Sequence, residues 1–131
     1  MKDFKICIWL ITHNKVLCSN MDFQPHLTIK YGLLNKPTNI SKYSGNFRVQ
    51  FTGDLVHSVD DDFYALYYRV KLLDKSPEWW PENAHISLRY QYDKDFTKEE
   101  CEELRKYANM DLIVGDVRIM RCTGNYKDWY Q

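Results

Sequence analysis

One short pattern occurs twice in this chain. The first copy, PHLTIKYG, runs from Pro25 to Gly32, and the second, AHISLRYQ, runs from Ala84 to Gln91. Each copy has a histidine, an apolar residue, a hydroxyl residue, an apolar residue, a cation and a tyrosine, in that order. Alternation of polar and apolar residues is typical of a half-buried β-strand. The repeat therefore predicts two similar strands, each with one polar and one apolar face.

The polar face of each predicted strand carries the groups that can do chemistry. Side chains alternate along a strand, so the histidine, the hydroxyl and the cation of each copy share a side. These residues are His26, Thr28 and Lys30 in the first copy and His85, Ser87 and Arg89 in the second. If the two strands are neighbours, their polar faces line one groove with two imidazoles flanking a shared space.

A groove of this kind suits a phosphodiester. One neutral histidine can take a proton from the attacking oxygen, while the other, protonated, gives a proton to the leaving oxygen. Thr28 and Ser87 can donate hydrogen bonds to the phosphate, and Lys30 or Arg89 can offset the charge of the transition state. This chemistry calls for no metal and no other cofactor. The alternative is a structural repeat whose histidines are buried and hydrogen-bonded in the core.

Composition and charge limit the class of partner. The 131 residues fit a single domain over positions 1–131. Lys plus Arg equals Asp plus Glu at 18 each, which argues against a long nucleic acid and permits a small anionic ligand. The four cysteines show no CxxC pair, so we expect reduced thiols and a cytoplasmic protein. The apolar run near the N-terminus is too short to span a bilayer, so no membrane partner is expected.

The remaining pattern predicts more strands and one helix. Thr97 and Glu100 form a capping box before a helix whose apolar face carries Cys101, Leu104 and Tyr107. His13 to Gln24 is predicted as a loop. The other predicted strands are Phe4 to Thr12, Asn46 to Thr52, Phe63 to Leu73, and Leu112 to Cys122 with a break near Gly115. This order predicts an α+β fold built on antiparallel sheet.

Aromatic residues near the two motifs are candidate stacking surfaces for a base. Trp79 and Trp80 precede the second motif, and Phe23 precedes the first. Stacking on a nucleobase and filling the core beneath a loop are equally compatible with the two tryptophans. Tyr126 and Trp129 are predicted to be packing residues.

The two motifs, HLTI at His26 to Ile29 and HISL at His85 to Leu88, resemble the paired signature of the 2H phosphoesterase superfamily. The flanks of the first motif are similar to those of its RNA ligase-like and cyclic phosphodiesterase members. The resemblance implies a bilobal fold with a pseudo-two-fold axis and antiparallel sheets around a central groove. It also implies that the two histidines are the acid/base pair and that Thr28 and Ser87 bind phosphate, without a metal. It does not say which histidine is the acid.

The chain departs from the larger members of that family, which place a helix between the first strand and the first motif. In its compactness it is more similar to short viral members, including phage anti-CBASS phosphodiesterases and pox-type relatives that cleave cyclic GMP-AMP. The resemblance therefore implies cleavage of cyclic or 2′-5′ linked oligoribonucleotide signals such as cGAMP, in the host cytoplasm if the source is viral. Two alternatives stay open: processing of RNA ends that carry a 2′,3′-cyclic phosphate, and a nucleotide-binding sponge without catalysis. The oligomeric state does not follow from the sequence.

Overall fold

The computed structural model describes residues 4–123 and 125–130 and contains a closed barrel of antiparallel strands. The strands are β1 (Lys5–Thr12), β2 (His26–Leu33), β3 (Phe47–Val59), β4 (Tyr64–Leu72), β5 (His85–Gln91) and β6 (Asp111–Cys122). Their order around the barrel is β1-β2-β5-β4-β3-β6. The predicted α+β class, with mostly antiparallel sheet, is confirmed.

The helices are few and short. They are α1 (Lys15–Ser19), α2 (Lys98–Leu104) and three 3₁₀ turns at Ile40–Tyr43, Arg105–Tyr107 and Tyr126–Asp128. The predicted capping box is present at α2, where Thr97 Oγ1 accepts from the Glu100 N–H and Glu100 Oε1 accepts from the Thr97 N–H. Within the described part of the chain, no helix is long and apolar enough to cross a membrane.

The main core fills the inside of the barrel. Alternate side chains of every strand point inward and are almost completely buried, among them Leu10, Leu27, Val49, Leu66, Tyr68, Ile86 and Val114. Leu104 of α2 joins this cluster, and the Tyr68 hydroxyl donates a 2.8 Å hydrogen bond to the Leu104 carbonyl. The helix is therefore tied to the barrel interior through its own C-terminal residue.

A second, smaller apolar cluster lies on the outer side of β1. It comprises Cys7, Trp9, Ile11 and Cys122, with Met120 and Trp129 packed against it. All four cysteines of the chain are free thiols, as the sequence predicts. This cluster makes β1 apolar on both faces, and Trp129 shows that the C-terminal segment covers one side of the barrel.

The structure differs from the sequence-based prediction in several segments. The predicted loop at residues 13–24 contains α1, which Asn14 caps through its side chain and which buries a single residue, Leu17. A single buried residue in one turn leaves no helical periodicity in the sequence. β3 continues beyond Thr52, and β6 is unbroken at Gly115. The C-terminal segment makes one isolated bridge, Arg121 with Tyr130.

The strand pairing has a two-fold pattern. β1 pairs with β2 as β4 pairs with β5, and β6 lies beside β1 as β3 lies beside β4. The two halves meet at β2–β5 and again at β3–β6. Instead of two separate sheets around a groove, the halves are joined along both sides, and the groups of interest lie on the outer barrel face.

Gly115 is the extra residue of a β-bulge in β6. Ile11 pairs with Asp116 and Thr12 pairs with Val114, so Gly115 has no partner on β1. Its carbonyl accepts a 3.1 Å hydrogen bond from the Gly45 N–H. A Cβ atom at Gly115 would lie 1.7 Å from the Gly45 carbonyl oxygen. The bulge therefore requires a residue without a side chain, and it bends β6 without ending it.

We expect Gly115→Ala to lower the free energy of unfolding by about 3 kcal/mol, because the backbone has to move to admit the methyl group. The matched control is Gly53→Ala, whose added Cβ would lie 3.5 Å from the Asn109 side chain, an ordinary contact. We expect the control to change stability by less than about 0.5 kcal/mol. Urea unfolding of both variants measures the difference, and equal losses would contradict the close-approach explanation.

Candidate active site

The two motif strands are direct neighbours in the barrel. Leu27 of β2 pairs with Ile86 of β5, and both side chains are fully buried inside. Because the strands are antiparallel, the positions next to this pair bring the functional residues opposite one another on the outer face. His26 lies opposite Ser87, and Thr28 lies opposite His85. The structure thus brings together the four residues that the sequence predicted.

The two imidazoles make the same backbone hydrogen bond. His26 Nδ1 lies 2.8 Å from the Gln24 carbonyl oxygen, and His85 Nδ1 lies 3.0 Å from the Asn83 carbonyl oxygen. A carbonyl can only accept, so Nδ1 carries the proton in each ring. In the neutral form, Nε2 of each histidine then has a free lone pair. Both rings are therefore held in the tautomer that can exchange a proton at Nε2.

His26 lies in an apolar environment. It is only 5% exposed, its ring stacks on Trp9 at 3.4 Å between centroids, and Trp129 meets it edge-on at 5.8 Å. Burial lowers the pKa of His26 to about 4, the Gln24 carbonyl opposes that shift, and the positive charge of a protonated His85 adds to it. His26 is therefore neutral near neutral pH.

His85 lies in a more open environment. Its side chain is exposed, and the nearest aromatic ring is Tyr67, at 4.6 Å between centroids and tilted by 47°. Tyr67 pairs with Ser87 as Trp9 pairs with Thr28, so each imidazole has an aromatic neighbour on the flanking strand. The two histidines share a local geometry and differ in their access to solvent.

A β-bulge follows the hydroxyl residue of the first motif. Trp9 pairs with Thr28 and Ile8 pairs with Lys30, so Ile29 has no partner on β1. Ile8 and Trp9 are consecutive residues and point to opposite faces, so their partners do as well. Lys30 therefore lies on the opposite side of β2 from Thr28, and this position does not support its predicted place in the groove.

The second motif has a bulge at the matching position. Tyr67 pairs with Ser87 and Leu66 pairs with Arg89, so Leu88 has no partner on β4. Arg89 consequently leaves the face that carries Ser87. Its guanidinium lies 3.6 Å from a carboxylate oxygen of Glu103, in the last turn of α2. The predicted phosphate-binding role of Arg89 is therefore not supported by its position.

Arg69 of β4 is a cation on the face that carries His85. It pairs with His85 across β4 and β5, shares the outer face with it, and is exposed. The signal was present in the alternation of β4: Leu66 and Tyr68 are buried, so Tyr67 and Arg69 belong to the other face. The alternation along β4 therefore predicts a cation beside His85 if the pairing of β4 with β5 is known.

An aromatic cluster surrounds the buried end of the site. Phe23 lies 6.3 Å from His26 and 5.2 Å from both Tyr90 and Tyr126, measured between ring centroids. Burial raises the pKa of Tyr90, and contact with the Ser87 hydroxyl opposes that shift. Phe23 therefore packs among aromatic rings next to His26, and its role as a stacking surface for a base stays a prediction. Tyr126 packs among the same rings.

Trp79 and Trp80 lie elsewhere. Trp79 meets Tyr43 at 5.2 Å and Phe47 at 5.4 Å, and Trp80 meets Phe47 at 5.5 Å. Both are packed against the main core. These contacts favour the packing alternative over a stacking surface for a base.

Two cavities flank the site. One, of about 630 Å³, adjoins Tyr90 and extends to Tyr92 and Tyr126. The other, of about 540 Å³, lies beyond β1 and is lined by Ile11, the partner of His26 in the register. Across residues 4–123 and 125–130, no group of three His, Cys, Asp or Glu side chains could hold a metal ion.

The depressed pKa of His26 makes stability depend on pH. Between pH 4 and 6.5 the unfolded chain binds a proton at this residue and the native chain does not. The free energy of unfolding should therefore rise with pH across this window, by about 3 kcal/mol in total from this group. We expect urea unfolding to show the slope in wild type and in His85→Gln, and to show much less of it in His26→Phe. A His26 imidazole that titrates near 6.5 by NMR in the wild-type protein would contradict this prediction.

No protein-family model, curated protein or solved structure matches this chain. The assignment of its site consequently depends on the geometry of the paired motifs.

Proposed function

We propose that the chain is a metal-independent phosphodiesterase of the 2H phosphoesterase type that cleaves cyclic or 2′-5′ linked oligoribonucleotides, such as cGAMP. The observation that carries the proposal is the meeting of two His-x-Thr/Ser motifs on one face, with Nδ1 of each imidazole bonded to a backbone carbonyl. The two-fold pattern of strand pairing supports the bilobal 2H fold, here in a compact and closed form. Degradation of such signals would suit evasion of cyclic-nucleotide immune signalling.

The different environments of the two histidines suit one to the role of general base and the other to the role of general acid. His26 is neutral in the free protein and acts as the general base on the ribose hydroxyl beside the scissile phosphate. The negative charge of a bound phosphate raises the pKa of His26, which helps it to hold the proton it accepts. His85 is exposed and, in its protonated form, gives a proton to the leaving oxygen.

The bonds made and broken are those of an in-line displacement. The ribose oxygen forms a bond to phosphorus as the bond from phosphorus to the leaving oxygen breaks, which yields a cyclic phosphate. Thr28 and Ser87 donate hydrogen bonds to the non-bridging oxygens, and Arg69 offsets the charge that develops there. Water then opens the cyclic phosphate with the two histidines in exchanged roles.

The direct test is turnover in the presence of EDTA. The substrates are 2′,3′-cGAMP, 3′,3′-cGAMP, a cyclic trinucleotide, 2′-5′ oligoadenylate and 2′,3′-cyclic AMP. We expect cleavage of at least one of the first four. Cleavage of 2′,3′-cyclic AMP alone would favour RNA-end processing, and tight binding of a member without any cleavage would favour a sponge.

Loss of either motif histidine should abolish turnover. We expect His26→Ala and His85→Ala each to lower kcat by about 10²–10⁴-fold, because each removes one proton transfer. The chain supplies matched controls in its other two histidines, His13 and His57, which bond to Asp116 and Asp95 on the surface. His13→Ala and His57→Ala should retain activity. If all four variants lose activity alike, or if the two motif variants stay active, the proposed mechanism is wrong.

The cation beside His85 should matter for turnover. We expect Arg69→Ala to lower kcat/KM by about 10–100-fold, because a cation beside the phosphate is lost. The matched control is Arg105→Ala, which removes only an exposed ion pair with Glu102 of α2 and should leave kcat/KM within about two-fold. Steady-state kinetics on the best substrate of the panel measures both. Equal losses in the two variants would contradict a role for the cation beside His85.

A further inference from the structure

The larger of the two flanking cavities has tyrosine walls. Tyr90, Tyr92 and Tyr126 line it. The Tyr126 ring stacks with both of the others, at 6.2 Å and 26° from Tyr90 and at 6.1 Å and 28° from Tyr92. Stacked aromatic rings offer flat faces on which a planar heterocycle can stack in turn.

The charges around this cavity are balanced. Three cations and three acids line it: Arg89, Lys94 and Lys127 against Asp22, Asp93 and Glu100. Arg89 is already close to Glu103, outside the lining. A second phosphate would need an excess of positive charge, which this lining lacks. An uncharged ring with hydrogen-bonding edges fits better.

One side-chain atom of Gln91, the acceptor Oε1, receives no hydrogen bond from the part of the chain that the structure describes. Its Nε2 donates a 2.6 Å bond to Glu100 Oε2, and Glu100 is itself held by the capping box of α2. Gln91 Oε1 is buried and has no partner among residues 4–123 and 125–130. A buried acceptor of this kind is costly until an N–H group reaches it. Gln91 lines the cavity, so its side-chain amide belongs to the wall that a ligand would contact.

We propose that this cavity binds the nucleobase of the substrate and prefers a base with an exocyclic amine: adenine, guanine or cytosine. The amine donates to Gln91 Oε1, and the ring stacks on the tyrosines. Asp22 and Asp93 add acceptors at the rim, which also favours a donor-rich edge. The inference rests on the proposed function in one respect: the contact between Tyr90 and Ser87 joins the cavity to the phosphate site.

Binding of nucleoside 3′-monophosphates tests this preference without any turnover, because these compounds have no phosphodiester bond. Guanosine and inosine 3′-monophosphate form the sharpest pair, since inosine lacks only the exocyclic amine. We expect guanosine, adenosine or cytidine 3′-monophosphate to bind about ten-fold more tightly than the inosine and uridine compounds, by titration calorimetry. Equal affinity across the five nucleotides would overturn the proposal.

The Gln91→Met substitution removes the proposed acceptor, Oε1. We expect the variant to bind the nucleotides but to lose the preference for a base with an exocyclic amine over inosine. The matched control is Gln50→Met, which removes a glutamine whose amide donates to the Asn109 carbonyl on another part of the barrel. The control should keep the full preference. A preference that survives in Gln91→Met, or that disappears equally in both variants, would overturn the proposal.

A second measurement keeps the test valid if Gln91→Met does not fold. In the wild-type protein, the side-chain amide signals of Gln91 should shift on addition of guanosine 3′-monophosphate and shift much less with inosine. Tyr92→Leu should weaken binding of all five nucleotides by a similar factor of about 5–100, because stacking is tolerant of base identity. Unmoved Gln91 signals at saturating nucleotide would overturn the proposal.

The two proposals can fail separately. Base-selective binding without cleavage of any diester in the panel would refute the phosphodiesterase and leave the base site standing. Cleavage that depends on His26 and His85, with no preference for an amine, would refute the base site and leave the phosphodiesterase standing.

Discussion

The pairing of Leu27 with Ile86 inside the barrel sets the position of every group in the candidate site. Both side chains are fully buried, and their burial stabilises the fold by roughly 1.5–3 kcal/mol each. A slip of one residue between these strands would turn one of them over, so that its histidine would face the core and its central apolar residue would face outward. The apolar positions between His26 and Thr28 and between His85 and Ser87 thus align two motifs that lie far apart in the chain.

The repeated motif gives the two imidazoles the same backbone hydrogen bond, but their surroundings differ in polarity and in access to solvent. Each has the same carbonyl bond at Nδ1, yet one stacks on Trp9 beneath Trp129 and the other lies at the surface beside Tyr67. Desolvation acts on the first and holds it neutral. A neutral imidazole is the form that a general base requires, so in the proposed mechanism the surroundings of His26 suit it to that role.

Much of the site could be predicted from the sequence, because alternation along a strand is a local property. The two motif strands, their functional faces and the capping box at Thr97 follow from such patterns. The bulges at Ile29 and Leu88 do not, since neither position has a glycine, a proline or any other turn signal. These two bulges move Lys30 and Arg89 away from the faces that strand alternation predicts for them.

Other features depend on contacts between distant parts of the chain. The sequence alone does not show that Arg69, and not Arg89, lies on the face of His85, because this depends on which strands are neighbours. The same is true of Trp79, whose partners Tyr43 and Phe47 lie more than thirty residues away in the sequence. The single turn of α1 cannot be predicted from the sequence for a different reason: one buried leucine gives no helical periodicity.

The two-fold strand order also means that the repeats have exchanged strands. Along the chain, β1, β2 and β3 form one repeat, and β4, β5 and β6 form the other. Yet β3 lies beside β4 and β6 lies beside β1, so each half of the barrel is completed by the last strand of the other repeat. Neither repeat has the strands to close a sheet alone. A chain cut in the turn between Val59 and Tyr64 would give two interlocked fragments, and the paired histidines would come together only when both fragments fold as one unit.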